Sequence, residues 1–220
     1  MLHYIYADQL HLYPTLRDTM FRDRAEQFSR RLGWAVTVDE QGWERDQYDA
    51  LNPLYVIWER EDGTHGGSMR LLPTTGRTMV AEHFADVADI SGIVSPFVWE
   101  CTRFCLAPGA EPRVVAALVL ACDEVMERFC LTHLLAVFDA RMVRVYRRMG
   151  TSPEVLGSSG SGRDMIAVGL WERGGYDEED RIRVREKAGL VVVPAAEGRE
   201  VSPEVAAHLR APEAKVALAA

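Results

Sequence analysis

The stretch VWECTRFCLAPGAEPRVVAALVLACDEVMERFCLTHLLAVF, residues 98–138, decides the fold. Residues 98–106 form a short apolar run rich in aromatics and read as a buried strand. Residues 113–130 read as an apolar helix, and HLLAVF (133–138) reads as a second central strand. Upstream, residues 2–6 suit a strand. Residues 12–32 suit a helix, because Leu12, Leu16, Met20, Phe28 and Leu32 recur every four positions, with Arg24 in the remaining slot. Gly33 ends that helix, AVTVDE (35–40) reads as a strand, and residues 41–53 form a polar loop closed by Asn52-Pro53. LYVIWERE and GGSMRLLP make a hairpin through Asp62-Gly63, and a short helix covers 79–90. Downstream come a helix at 140–149, a Gly/Ser-rich turn at 157–162, a strand at 163–172 and a charged helix at 177–189. Strands before and after long helices predict an α/β sandwich with a mixed sheet. The expected organisation is one domain over residues 1–190 and an Ala/Pro/Glu-rich, mobile tail over 191–220.

A chain of 220 residues with 48% hydrophobic content can bury a core of one domain. Its net charge of −8 argues against nucleic acid as a partner, which would call for a broad basic footprint. The start, MLHYIYADQLHLYP, carries no leader pattern and no window reaches the length of a membrane span, so a cytoplasmic protein is expected. The four cysteines, Cys101, Cys105, Cys122 and Cys130, lack CxxC spacing and read as reduced core thiols; no metal site is expected. Neither G-x-G-x-x-G after the first strand nor a G-x-x-x-x-G-K-[ST] loop is present, which counts against dinucleotide and P-loop folds and against a methyltransferase.

Six charged residues stand beside aliphatic or aromatic neighbours: Arg24, Asp46, Asp49, Arg70, Glu100 and Arg103. An unpaired buried ion is strongly disfavoured, so three cations and three anions are expected to neutralise one another around one polar site. Such a site suits a small zwitterionic substrate; interior salt bridging without chemistry is the alternative. In a regular strand Glu100 would share a face with Thr102 and oppose Arg103. A β-bulge would change this and release backbone N–H groups able to stabilise an oxyanion.

These residues sit in FRDRAEQFSRRLGW (Arg24, Phe28, Trp34), ERDQYDALNPLYVI (Asp46, Asp49), GSMRLLPT (Arg70), AEHF (Phe84) and WECTRFCL (Glu100, Thr102, Arg103). In that order and separation, across residues 1–172, the chain resembles the LuxI-type acyl-homoserine-lactone synthases. The resemblance implies a GNAT-like N-acyltransferase fold, a three-layer α-β-α sandwich around a mixed, mostly antiparallel sheet. It implies S-adenosylmethionine and an acylated carrier protein as substrates, with no cofactor. The substrate amine would attack the acyl thioester, and the methionine-derived carboxylate would then close a lactone and expel methylthioadenosine.

The residue chemistry fits that implication. A protonated amine must lose its proton before attack, and Glu100, in a buried strand, is the expected base; neutralising Arg70 or Arg103 is its alternative role. Asp46 and Asp49 would position Arg24 or Arg103 or attract the ligand's sulfonium and ammonium, while the arginine forks grip its carboxylate. Phe28, Trp34 and Phe84 would wall the site, and Thr102 belongs to the same pocket by resemblance. Coenzyme A-dependent relatives place a pyrophosphate-cradling loop after the central strand. LAPGAEPR (106–113) lacks its spacing, which favours a carrier-protein donor and leaves acyl-coenzyme A as the alternative. The carrier is acidic, and Arg141, Arg144, Arg147 and Arg148 form the densest basic patch, on the helix where the family docks it. Ala136 falls where 3-oxo-acyl makers tend to carry Thr; a methyl cannot donate to a β-keto oxygen, so an unsubstituted or 3-hydroxy chain is expected. Two rival readings remain: a coenzyme A-dependent N-acetyltransferase, and a non-catalytic acyl- or S-adenosylmethionine-binding protein.

Overall fold

The computed structural model describes residues 1–175 and 178–189. The expected tail over 191–220 lies outside them. The seven strands are β1 (Leu2–Tyr6), β2 (Leu54–Glu59), β3 (His65–Pro73), β4 (Val98–Leu106), β5 (His133–Asp139), β6 (Glu154–Ser159) and β7 (Ile166–Glu172), in the sheet order β1-β2-β3-β4-β5-β7-β6. Every pairing is antiparallel except β4–β5. That parallel pair is joined by the helix α3 (Pro112–Arg128), because parallel neighbours need a crossover connection.

The β4–β5 contact positions the site. Pairing holds at Val98↔His133, Trp99↔Leu134 and Glu100↔Leu135 and goes no further. Beyond those residues β4 stays with β3, and β5 pairs with β7 along its whole length. The sheet therefore opens as a wedge.

Both faces of the sheet are covered. On one, α3 sets Val114, Leu118, Ala121 and Val125 against Leu54, Val56, Met69 and Leu71. Outside α3 lies α5 (Glu178–Lys187), whose Val184, with Ala188 just past the helix end, packs on Ala116 and Ala117. On the opposite face α1 (Pro14–Arg24) buries Leu16, Met20 and Phe21 against Ile5, Tyr55 and Ile57. The short α2 (Met79–His83) sets Val80 in a cluster with Val98, Leu135 and Val168. Each fully buried Leu, Ile or Met contributes about 1.5–3 kcal/mol of transfer free energy to this three-layer packing.

Four expectations about local structure change. The first long helix begins at Pro14, where a missing N–H is harmless; Leu12 lies in a 3-10 turn and is exposed. After Arg24 the chain widens into a π-helical turn, Ala25–Arg31, an irregularity frequent at functional sites. Residues 35–40 are not a strand: Val38 makes one isolated bridge to Glu44, since no sheet edge lies alongside to pair with its β-branched neighbours. The Gly/Ser-rich turn over 157–162 is partly strand, with Gly157 inside β6. A Cβ at Gly157 would fall 2.0 Å from the Val87 carbonyl oxygen, so glycine there marks close backbone approach. The expected helix over 79–90 is confined to α2, because Phe84 leaves the helical region after one turn and a half.

Candidate active site

Three arginines and three carboxylates close a ring. Arg24 Nε donates to Glu44 Oε2 at 2.7 Å, and its two terminal nitrogens donate to both oxygens of Asp49 at 3.0 and 3.1 Å. Arg70 Nη1 donates to Asp49 at 2.8 Å and its fork grips Asp46 at 2.5 and 3.0 Å. Arg103 completes the circuit, reaching Asp46 at 2.8 Å and Glu44 at 3.0 Å. Each ion thus touches two of opposite sign and the six charges sum to zero. Tyr55 donates its hydroxyl to Asp49, and Thr102 accepts from Arg70 Nε at 3.0 Å, so flanking polar groups satisfy the remaining positions.

The ring is deep. Arg24, Arg70 and Glu44 side chains are at most 1% exposed, whereas Arg103 and Asp46 retain 11% and 12%. Burial alone would raise the Asp49 carboxyl, but Arg24 and Arg70 outweigh it and hold it well below the usual carboxylate range. Burial likewise opposes the charge on Arg24, and Asp49 and Glu44 overcome it.

Glu44 is the residue that sequence reasoning missed. It takes the place expected of Glu100, which stands apart from the ring. In sequence Glu44 sits in a polar, turn-rich loop and resembles any solvated acid. The fold turns it inward by bridging it to Val38 and bonding its N–H to the Phe21 carbonyl on α1. Glu100 instead accepts the backbone N–H groups of Met79 at 3.0 Å and Val80 at 2.7 Å, in the first turn of α2. Burial raises its carboxyl above the ordinary value, against those two donors and Arg70.

The bulge raised as a possibility in β4 is present. Arg70 pairs with Thr102 and Ser68 with Cys105, so Arg103 and Phe104 together oppose Met69. Arg103 takes a left-handed backbone, φ +53°, a conformation that costs a non-glycine residue about 1–3 kcal/mol and concentrates at functional sites. The extra residue turns Arg103 back to the side of Glu100 and Thr102. Gln27, on the π-helical turn, was also missed: it donates to the Phe104 carbonyl at 3.0 Å and accepts from the Leu106 N–H at 3.1 Å. Its amide stands in for a strand neighbour where β5 has diverged. No sequence pattern announces that role.

A cavity of about 840 Å³ opens beside the ring. Glu44, Asp46, Thr102 and Arg103 supply its polar wall, and Phe28, Trp34 and Phe84 an aromatic one. Phe28 and Trp34 stack with centroids 5.2 Å apart, and Arg103 lies 5.4 Å over the Phe28 ring. Cys101 and Thr102, adjacent residues on opposite faces of β4, both line the cavity. It therefore passes through the sheet at the wedge, reaching Leu134, Ala136 and Phe138 of β5 and the inner side of α3. Arg24, Arg70, Asp49 and Glu100 do not line it. The first three support the wall from behind, and Glu100 anchors α2, which carries Met79 and His83 into the lining.

The helix α4 (Ala140–Met149) borders the cavity through Met142, Val145 and Tyr146. Asp139 caps it by accepting the N–H groups of Arg141 and Met142, and also pairs with the Arg141 guanidinium. Arg141, Arg144, Arg147 and Arg148 are exposed. All four cysteines are free, but Cys130 is exposed rather than a core thiol. Among the described residues no helix is long and apolar enough to cross a membrane.

Residues 8–171 match the family model described as autoinducer synthase. The chain belongs to the autoinducer synthase family. The synthase is 42% identical over 180 residues, 78% of this chain and 84% of the relative, to an acyl-homoserine-lactone synthase of Rhizobium etli. It is 34% identical over 137 residues, 58% of this chain and 67% of the relative, to one of Ralstonia solanacearum. Among solved structures, the coenzyme A-dependent acyl-homoserine lactone synthase BjaI, with SAM and isopentyl-CoA, superposes with a TM-score of 0.75. That match covers 95% of this chain and 99% of BjaI at 21% identity, which bears on fold alone. The fold is the GNAT-like acyltransferase sandwich, and the synthase is an enzyme of acyl-homoserine-lactone formation.

Proposed function

We propose that the synthase transfers an acyl chain from acyl carrier protein to the amine of S-adenosylmethionine and then closes the lactone. The observation that carries this reading is the cavity's change of character: a closed ion ring on one side of the sheet, an apolar slot on the other. The ring presents two partly exposed charges, Asp46 and Arg103, of opposite sign. Asp46 suits the sulfonium or ammonium and Arg103 the carboxylate of a zwitterion, each already oriented by its partners.

The amine must be neutral to attack the thioester carbon. Glu100 is the proposed proton acceptor, reached through a water relay because it stands outside the cavity lining: burial raises its carboxyl, whereas Asp49 is held ionised in an arginine clamp, a weak base. As the C–N bond forms, the C–S bond of the thioester breaks and the thiolate leaves, taking up a proton. The carboxylate oxygen then attacks the γ-carbon of the same ligand. The C–S bond to the sulfonium breaks, its electron pair stays on sulfur, and neutral methylthioadenosine departs. Buried Phe28 and half-buried Phe84 limit the water that reaches these steps and would hydrolyse the thioester, and Trp34, itself 41% exposed, stacks on Phe28.

Of the exposed arginines of α4, Arg141 lines the cavity, and Arg144, Arg147 and Arg148 extend the basic face on which an acidic carrier would dock to present its thioester arm. BjaI is described as coenzyme A-dependent, and a coenzyme A thioester would enter by the same arm chemistry. Ala136 in the slot offers no donor to a 3-oxo group, so an unsubstituted or 3-hydroxy chain is proposed. The reading places the enzyme in the cytoplasm, with both substrates. The deciding experiment supplies purified protein with S-adenosylmethionine and an acyl thioester, on carrier protein or on coenzyme A. Equimolar methylthioadenosine and acyl-homoserine lactone are expected, faster with the carrier. An amide product without methylthioadenosine would indicate an N-acetyltransferase, and binding without either product a non-catalytic protein.

A further inference from the structure

Several polar residues line the cavity beyond the ring, Asp139, Arg141, Tyr146, Thr151 and Glu172 among them, but Asp123 on α3 is set apart by a buried oxygen without a partner. The face that α3 turns toward the cavity runs Val115, Val119, Cys122, Asp123 and Met126. Asp123 Oδ2 is buried and has no hydrogen-bond partner among the described residues. Its helical neighbours on the cavity side, Val119 and Met126, offer none. Arg181 and Arg185 on α5 act on it only through their charge, and burial pushes the carboxyl up to about 6. Leaving such an atom unsatisfied is destabilising. Asp123 is half-buried, with Arg181, Glu127 and Arg185 in electrostatic reach, so the free acceptor is its Oδ2 alone, available to a donor that the slot receives. Asp123 lies across the sheet from Arg103, on the slot side of the cavity, where the acyl-transfer reading puts the acyl chain rather than the amine.

We propose that Asp123 determines acyl-chain specificity, accepting a hydrogen bond from a hydroxyl on the distal part of the chain and disfavouring a plain alkyl chain that reaches α3. The inference rests on the acyl-transfer reading of the cavity given above. The asymmetry has a general basis: an apolar wall rejects an added hydroxyl only weakly, whereas a polar group awaiting a partner rejects the chain that lacks one. Asp123 touches no reacting atom; it selects which chain is held while the ring and Glu100 act.

The test compares wild type with Asp123→Leu and Asp123→Asn on thioesters of graded length, each as a plain chain and as its ω-hydroxy counterpart. Methylthioadenosine release gives kcat/KM, and thermal melting confirms folding. The expected result is that wild type favours the ω-hydroxy chain by about tenfold at the length that reaches α3. Asp123→Leu should abolish or reverse that preference, Asp123→Asn should keep it through its amide oxygen, and the Leu-to-wild-type ratio on plain chains should rise with length. A plain-to-hydroxy ratio that is the same in all three proteins at every length overturns the role of Asp123 and leaves acyl transfer standing. No methylthioadenosine from wild type with any chain, short ones included, overturns the acyl-transfer reading and this inference with it.

Discussion

The two sides of the cavity handle buried charge in opposite ways. On the ring side every ion has two partners, and guanidinium forks fix their geometry. On the α3 side a single carboxyl oxygen has none. A closed network resists change, because deleting one member strands two neighbours in a low-dielectric interior. An isolated group can be replaced without stranding anything. The ring is therefore suited to binding what every turnover shares, and the slot to adjusting what differs between acyl donors.

That contrast can be broken most directly at Arg24. Arg24→Met leaves Glu44 and Asp49 short of a cation behind the cavity wall, and should lower stability by about 3–5 kcal/mol in urea unfolding. A loss under about 1 kcal/mol would mean that the ring is not an interdependent unit. Next comes Glu100→Gln. The amide keeps one acceptor for the α2 backbone but cannot take the amine's proton, so acyl transfer should fall about a hundredfold or more while circular dichroism stays native-like. Near-normal turnover would remove Glu100 as base and leave it as the anchor of α2. The smallest effect is expected outside the cavity. Reversing Arg144 and Arg148 to Glu should weaken use of a carrier-bound donor by roughly tenfold at low salt, against little change with a small acyl thioester. Equal losses with both donors would contradict docking on α4.

Much of the ring could be read before the structure. Arg24 interrupts a four-residue apolar repeat, and Arg70 and Arg103 lie in runs that must be buried, so each demanded a counter-ion. The acids were harder. Asp46 and Asp49 were read as counter-ions beside apolar neighbours and then placed in a block that the resemblance supports, and Glu44 escaped because nothing local distinguishes an inward-facing loop acid from a solvated one. Glu100 was correctly taken as buried, yet it was assigned to the wrong company: strand alternation gives a side chain's face, not the backbone donors that a later helix brings to it. Gln27 was invisible for a similar reason, since its partners are carbonyl and N–H groups that every residue possesses. Residues 35–40 failed in the other direction, their β-branched composition suggesting a strand where no edge was available.

The sequence by itself determined that the chain forms an α/β sandwich, that cations in apolar runs must meet anions, and that the Arg, Asp, Glu and aromatic blocks match one enzyme family. Periodicity and the desolvation of charge act on local stretches, so they leave a legible mark. Only the tertiary structure decided how the charges pair, which carboxylate closes the ring, and that the cavity crosses the sheet to meet Asp123. Those outcomes depend on one extra residue in β4 and on where β5 leaves it, and no neighbouring residue along the chain records such a divergence.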